Sequence, residues 1–311
     1  MTSILLAGLI ACGNSNKKTP DAAVQKDAPI DTAPDATSVV TVSLGQGGAN
    51  ALLWDAATST LYLTDNTADK LESFTGGTTI NSVATLPTES AGISLGGMLK
   101  LADNSIVIAN FGFGTQGTLF QVASGGTTGS SLTGLDATRR RIGLAQDSAG
   151  TMYSSYFTGG MGTQVGGVAS MTITTGAALE TEIAGATTSA GFKKVVGIAA
   201  TTTAVYVSDQ TQKTIFKIDL TSSNAVSALA TGLPAADLLM MLPNGDMLTG
   251  GGATITRVTQ AGTVSAVSLP GTTFSDVRGI AFDPVSSRLF IVDHSATAGV
   301  GDTLNIAKFT P

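Results

Sequence analysis

Hydrophobic and polar positions alternate along this chain in a phrase that returns six times: an apolar run, a short turn, then a second apolar run that closes on a small or polar residue. The first runs are Asn50–Asp55, Gly96–Ala102, Arg141–Asp147, Val195–Ala200, Asp237–Leu242 and Val277–Asp283. Their partners are Leu61–Asp65, Ile106–Asn110, Met152–Ser155, Val205–Asp209, Met247–Gly250 and Leu289–Asp293. The partners end 41 to 54 residues apart, the period of a repeat in which each unit is one four-stranded blade of a propeller. The first repeat reads as four strands, Asn50–Asp55, Thr60–Asp65, Lys70–Thr75 and Ile80–Leu86, and strand periodicity puts Leu61 and Leu63 on one face with Tyr62 and Thr64 on the other. The first runs are the least polar, as inner strands covered on both faces must be.

Third strands follow at Thr118–Ala123, Val165–Ile173, Thr214–Leu220, Thr254–Thr259 and Asn305–Phe309, which leaves the sixth repeat one strand short. Ser38–Leu44 is strongly β-forming and has no repeat of its own. Paired with Asn305–Phe309 it would close the ring and remove two exposed edges at once; the alternative is a separate edge strand. The expected fold is therefore all-β, a six-bladed β-propeller over residues 38–311 whose last blade is completed by the N-terminal strand. A second periodic signal, Thr115-Gln116, Thr163-Gln164 and Thr211-Gln212, falls between the second and third strands of successive repeats, where such side chains bond turn backbone.

Composition narrows the function classes. Only 12% of the residues are charged, 38 are Gly, the formal charge is −6 and the pI is near 4.7, so nucleic acid is not an expected partner. The basic run Arg139, Arg140, Arg141 reads as a solvated loop. One cysteine excludes an internal disulfide and a multi-Cys zinc site. Its setting, an apolar run from Ile4 ending in Leu9-Ile10-Ala11-Cys12, resembles the lipobox of bacterial lipoproteins, which implies a signal segment over residues 1–12 and lipid attachment at Cys12. Residues 13–37 carry Pro20, Pro29 and Pro34 among Asp, Ala and Lys with almost no large apolar side chains, the composition of a disordered tether. The expected protein is a cell-envelope lipoprotein of the outer membrane, monomeric and anchored through its N-terminus.

In a propeller, the loops after second strands and those between blades share one rim. That rim would gather Asp65, Asn66, Asp69, Glu89, Asn110, Asp136, Arg140, Tyr156, Lys193, Asp209, Asp293, His294 and Asp302. From these, Asp65, Asn110, Tyr156, Asp209, Asp293 and His294 are the candidate binding residues, and Phe111, Phe113, Tyr156 and Phe157 a small apolar patch. His294 is the only histidine; on an extended strand its neighbours Asp293 and Ser295 point to the face opposite its own, so the three form no catalytic triad among themselves, and a solvated loop position is expected. Gly250-Gly251-Gly252 leads into a strand and not a helix, so it reads as a tight turn and not a phosphate loop.

The first repeat, from Leu44-Gly45-Gln46-Gly47 through Leu53-Trp54-Asp55-Ala56 to Leu61-Tyr62-Leu63-Thr64-Asp65, resembles the opening blade of gluconolactonase/regucalcin-like propellers, and the repeats are similar to NHL-type propellers generally. The resemblance implies a divalent cation such as calcium, held by a Glu, an Asn and an Asp on inner strands, that polarises a lactone carbonyl. Transferred to this chain, the Glu position holds Asn50, Arg141 and Gly143 stand where the Asn is wanted, and Asp237 matches the Asp. Asn50 and Asp237 are thus the candidate metal ligands. The expected function is a binding or interaction module with no complete catalytic set; a metal-dependent lactonase-like hydrolase and a structural envelope protein are the alternatives.

Overall fold

The computed structural model describes residues 39–45, 48–88, 94–111, 117–185, 191–295, 297 and 300–311. The proposed signal segment with Cys12, the tether, Glu89, Phe113 and Thr115-Gln116 lie outside them. Twenty-four strands form six antiparallel sheets of four, and no helix occurs among the described residues. Blade one runs outward as Ala49–Asp55, Thr60–Asp65, Lys70–Phe74 and Asn81–Thr85. The other inner strands are Leu95–Lys100, Arg140–Gln146, Val195–Ala200, Leu239–Met241 and Val277–Asp283. Blade six is completed as expected: Val39–Ser43 pairs with Thr303–Lys308, Thr41 opposite Asn305, and becomes its outermost strand.

The outer strands of blades two to five could not be read from the sequence. Gly129–Ser131, Ala177–Ala184, Ala225–Ala230 and Val264–Val267 are short or solvent-washed, so few of their positions must be apolar. The second strand of blade three extends to Thr158, past the expected end at Ser155, because Tyr156 and Phe157 continue the ladder opposite Gly167 and Gly166.

Successive blades meet in apolar seams. The seam between blades six and one packs Val42, Leu61, Leu63, Phe74, Phe290 and Leu304, and Trp54 stacks on Phe290 with ring centroids 5.1 Å apart. Truncating a side chain like Phe290, which is 1% exposed, costs about 3–5 kcal/mol. A comparable cluster joins blades one and two through Leu71, Met98, Ile108 and Phe120, and another joins three and four through Val168, Phe192, Val205 and Phe216.

Near the axis the inner strands come too close for side chains. A Cβ on Gly143 would meet the Val196 carbonyl oxygen at 2.5 Å, and one on Gly197 would meet that of Asp237 at 2.4 Å. Each of these glycines lies in a bulge, where the inner strand slips register against its partner. A buried hydroxyl from the second strand repairs each bulge. Ser155 Oγ accepts from the Gly143 amide and donates to the Val196 carbonyl. Ser208 Oγ likewise accepts from the Gly197 amide and donates to the Asp237 carbonyl. One side chain thus satisfies its own blade and ties it to the next, as buried backbone groups require.

Candidate functional site

The residues that end the second strands are occupied with backbone. Asp65 Oδ1 accepts from the amides of Gly48, Thr67 and Ala68, and Asn110 Oδ1 accepts from Ser94. Asp209 accepts from Lys193, Thr211 and Gln212, and Asp293 from Ser275 and Asp276. Each pins the segment that leads into its own blade's inner strand. The repeat that marked them as rim residues is the signature of this capping. Gln164 accepts from the Gly162 amide of its own turn, as its placement predicts, whereas Gln212 donates to the Gly191 carbonyl, 21 positions back in the segment that leads to the inner strand.

Tyr156 sits in the second strand of blade three, opposite Arg141, and is buried. Its hydroxyl donates to Glu182, and Arg139 lies 4.1 Å above its ring. Burial, reinforced by Glu182, pushes its phenol well above the ordinary range. The basic run beside it is no solvated loop. Arg141 is 0% exposed, forks onto both oxygens of Glu180 at 2.7 and 2.6 Å, and donates to the carbonyls of Gly117 and Arg139. Arg139 adds contacts to Glu180 and Glu182. The acceptors come from Ala177–Ala184, the outer strand that the sequence pattern did not disclose. Gly250–Gly252 is a turn, with φ of +128° at Gly251 and +56° at Gly252, and Gly252 exchanges hydrogen bonds with Asp276 and Val277.

The chemistry gathers at the end of the channel where the inner strands begin. A pocket of about 330 Å³ is lined there by Asn50 and Asn66 from blade one, Ser94 and Phe111 from blade two, Lys194 from blade four, and Arg278 and His294 from blade six. Below it, a cavity of only about 60 Å³ is walled by Ala51, Gly97, Gly143, Ile198 and Met240. His294 lies at the mouth, 39% exposed, with Nδ1 2.8 Å from Oδ1 of the buried Asp302. Asp302 also accepts from the amides of Ala49 and Ser295, so its position is fixed independently of the imidazole.

Asn50 and Asp237 do stand at this same end. Asn50 donates to the Leu95 carbonyl, and Asp237 accepts from the Leu238 amide at 3.0 Å. Burial raises the Asp237 carboxyl, and the nearby Arg278 and Lys194 charges offset part of that rise. Lys194 and Arg278 were not foreseen; each falls next to the first residue of an inner strand, a position the repeat leaves unmarked. Arg140 joins them over an aromatic floor, 4.8 Å from the Phe157 ring and 5.7 Å from Phe111, and its Nε donates to the Phe111 carbonyl.

This donor set does not fit a divalent cation. Hard cations are held by several oxygens, predominantly anionic. Here the carboxylate at the expected position is flanked by two cationic side chains, and among the described residues no three acidic, His or Cys groups converge.

The fold has many solved counterparts. A gluconolactonase from Xanthomonas campestris superposes with a TM-score of 0.65 at 15% identity, over 89% of this chain and 95% of its own. A calcium-binding regucalcin from Agrobacterium tumefaciens gives 0.61 at 14%, over 86% and 93%. A virginiamycin B lyase from Staphylococcus aureus gives 0.56 at 12%, over 88% and 100%. No family model matches the sequence, and no curated protein does. At these identities the likeness defines a six-bladed propeller resembling gluconolactonase and regucalcin structures, and nothing finer.

Proposed function

We propose that this protein is an exported, lipid-anchored binding module that holds a small polar ligand at the mouth of its propeller channel. The observation that carries the reading is the pocket of about 330 Å³, to which four blades contribute polar side chains, over a channel too narrow to admit a ligand further. Its volume lies at the lower end of ordinary small-ligand sites, roughly 300–1,000 Å³. The anchor rests on the lipobox-like residues before Cys12 and the Pro/Asp/Ala spacer over 13–37, which would hold a monomeric domain off the outer membrane.

Two measurements test the reading. Intact mass of the membrane-extracted protein should show an N-terminal Cys12 carrying diacylglycerol, and Cys12→Ser should release the domain from the membrane; an unmodified Cys12 rejects the anchor. A calorimetric screen of small polar compounds should find saturable binding that Arg278→Gln and His294→Ala weaken. Binding that ignores both substitutions, or none at all, rejects the site.

A lactonase-like hydrolase is the second reading, favoured by Asn50 and Asp237 standing at the same channel end and by the fold of the gluconolactonase counterparts. It requires lactone turnover that is lost in Asp237→Ala.

A further inference from the structure

We infer that the mouth pocket takes a compact carboxylate, with the Lys194 ammonium as its counter-charge; the inference rests on the binding-module reading and names the ligand class. Cations drawn into a protein are ordinarily paired. This chain follows the rule at Lys100 with Asp55, Arg141 with Glu180, Arg257 with Asp246 and Arg288 with Asp283, all between 2.6 and 3.0 Å. Lys194 departs from it. The side chain is half-buried, its Nζ donates at 2.5 Å to Gln210 Oε1, a neutral amide oxygen, and among the described residues no carboxylate lies within ion-pair distance of it.

Its surroundings deepen the deficit. Burial lowers the Lys194 ammonium below its ordinary range, Asp237 works against that, and the like charges of Arg140 and Arg278 add to it. Arg278 has its own partner in Asp276 at 2.7 Å, so of the Lys and Arg side chains that line the pocket Lys194 is the one with no carboxylate at ion-pair distance; counted with Arg140 and the Asp237 carboxylate, the group around the mouth carries one net positive charge. A single excess positive charge matches a monoanion, whereas a phosphate dianion would bring a second negative charge toward Asp237. A metal cation would meet the two positive side chains of Lys194 and Arg278. Asn50, Asn66 and Ser94 supply neutral hydrogen-bonding groups for the rest of the ligand, and Phe111 an apolar wall.

The test is calorimetric titration of the purified protein with glycolate, propionate and inorganic phosphate at constant ionic strength, with glycolamide as the uncharged isostere of glycolate. Glycolate or propionate should bind saturably, at least ten-fold tighter than glycolamide or phosphate. Lys194→Gln should weaken the carboxylate at least ten-fold without lowering the melting temperature, and Lys194→Arg should retain part of the affinity. At pH 9 carboxylate binding should take up protons, because the anion favours the charged ammonium. Equal binding of acid and amide, or no effect of Lys194→Gln, overturns the inference. If glycolamide binds as well as glycolate and Arg278→Gln abolishes both, the carboxylate assignment fails while the binding module stands. If none of these compounds nor any member of the polar screen binds, both fail.

Discussion

Arg141 and Lys194 are both cations withdrawn from solvent, and the protein treats them in opposite ways. Arg141 lies across the face of blade three with Glu180 forked onto it and two carbonyls accepting its remaining donors, a closed network at 0% exposure. Lys194 lies at the channel mouth with only neutral partners, the Gln210 amide oxygen and the Phe157 ring 5.9 Å away, and two like charges nearby. The first arrangement is what a buried charge requires to be tolerated in a folded protein. The second lacks that compensation and faces a pocket, so it identifies where a ligand has something to add. Saturation of hydrogen bonds and charge, more than the kind of residue, separates a structural cluster from a candidate site.

The contrast breaks most visibly at Arg141. Arg141→Met leaves the buried Glu180 with only the longer Arg139 contact and the Ser154 hydroxyl, and should destabilise the ring by about 3 kcal/mol in urea unfolding. Replacing both partners, Arg141→Met with Glu180→Leu, should recover most of that loss, because no uncompensated charge remains. Ser208→Ala comes next. It removes the hydroxyl that serves the Gly197 amide and the Asp237 carbonyl, and should cost about 1–3 kcal/mol.

The two regions should also respond to pH with opposite sign. At Glu180, burial alone would raise the carboxyl, but the Arg141 guanidinium outweighs it and holds the folded value below the ordinary 4.5. Its stabilisation is therefore complete above pH 4.5 and is lost as pH falls through the lowered value. At Asp237 the folded value is raised above 3.8, so the folded state binds the proton more tightly and stability declines as pH rises from 3.8 through the folded value. Asp237→Asn should remove that decline and leave the protein more stable at pH 7 than wild type. Denaturant unfolding of wild type, Glu180→Gln and Asp237→Asn between pH 3 and 7 reads both effects. The smallest change belongs to Lys194→Gln, expected within about 0.5 kcal/mol of wild type because half-buried surface charges contribute little to folding.

The six inner and second strands were legible because burial on both faces leaves them little choice of residue. The closing strand was legible for a related reason: Val39–Ser43 has β-forming residues and no partner of its own in the repeat. The candidate site was only half legible. Asn50, Asp237 and His294 were singled out, but Asp65, Asn110, Asp209 and Asp293 proved to cap inner-strand entries, and capping repeats in sequence as regularly as any shared function would. Lys194 and Arg278 carry no periodic mark, since each is supplied once, by one blade.

The sequence by itself determined what depends on neighbours along the chain: strand positions, the blade period, the turn glycines and the spare strand that closes the ring. Tertiary structure decided which charges would be compensated. Glu180 reaches Arg141 from 39 positions away, and Arg278 comes to share the mouth with Lys194 from a different blade. Electrostatic energy depends on distance in space and on local dielectric, and the ring sets both.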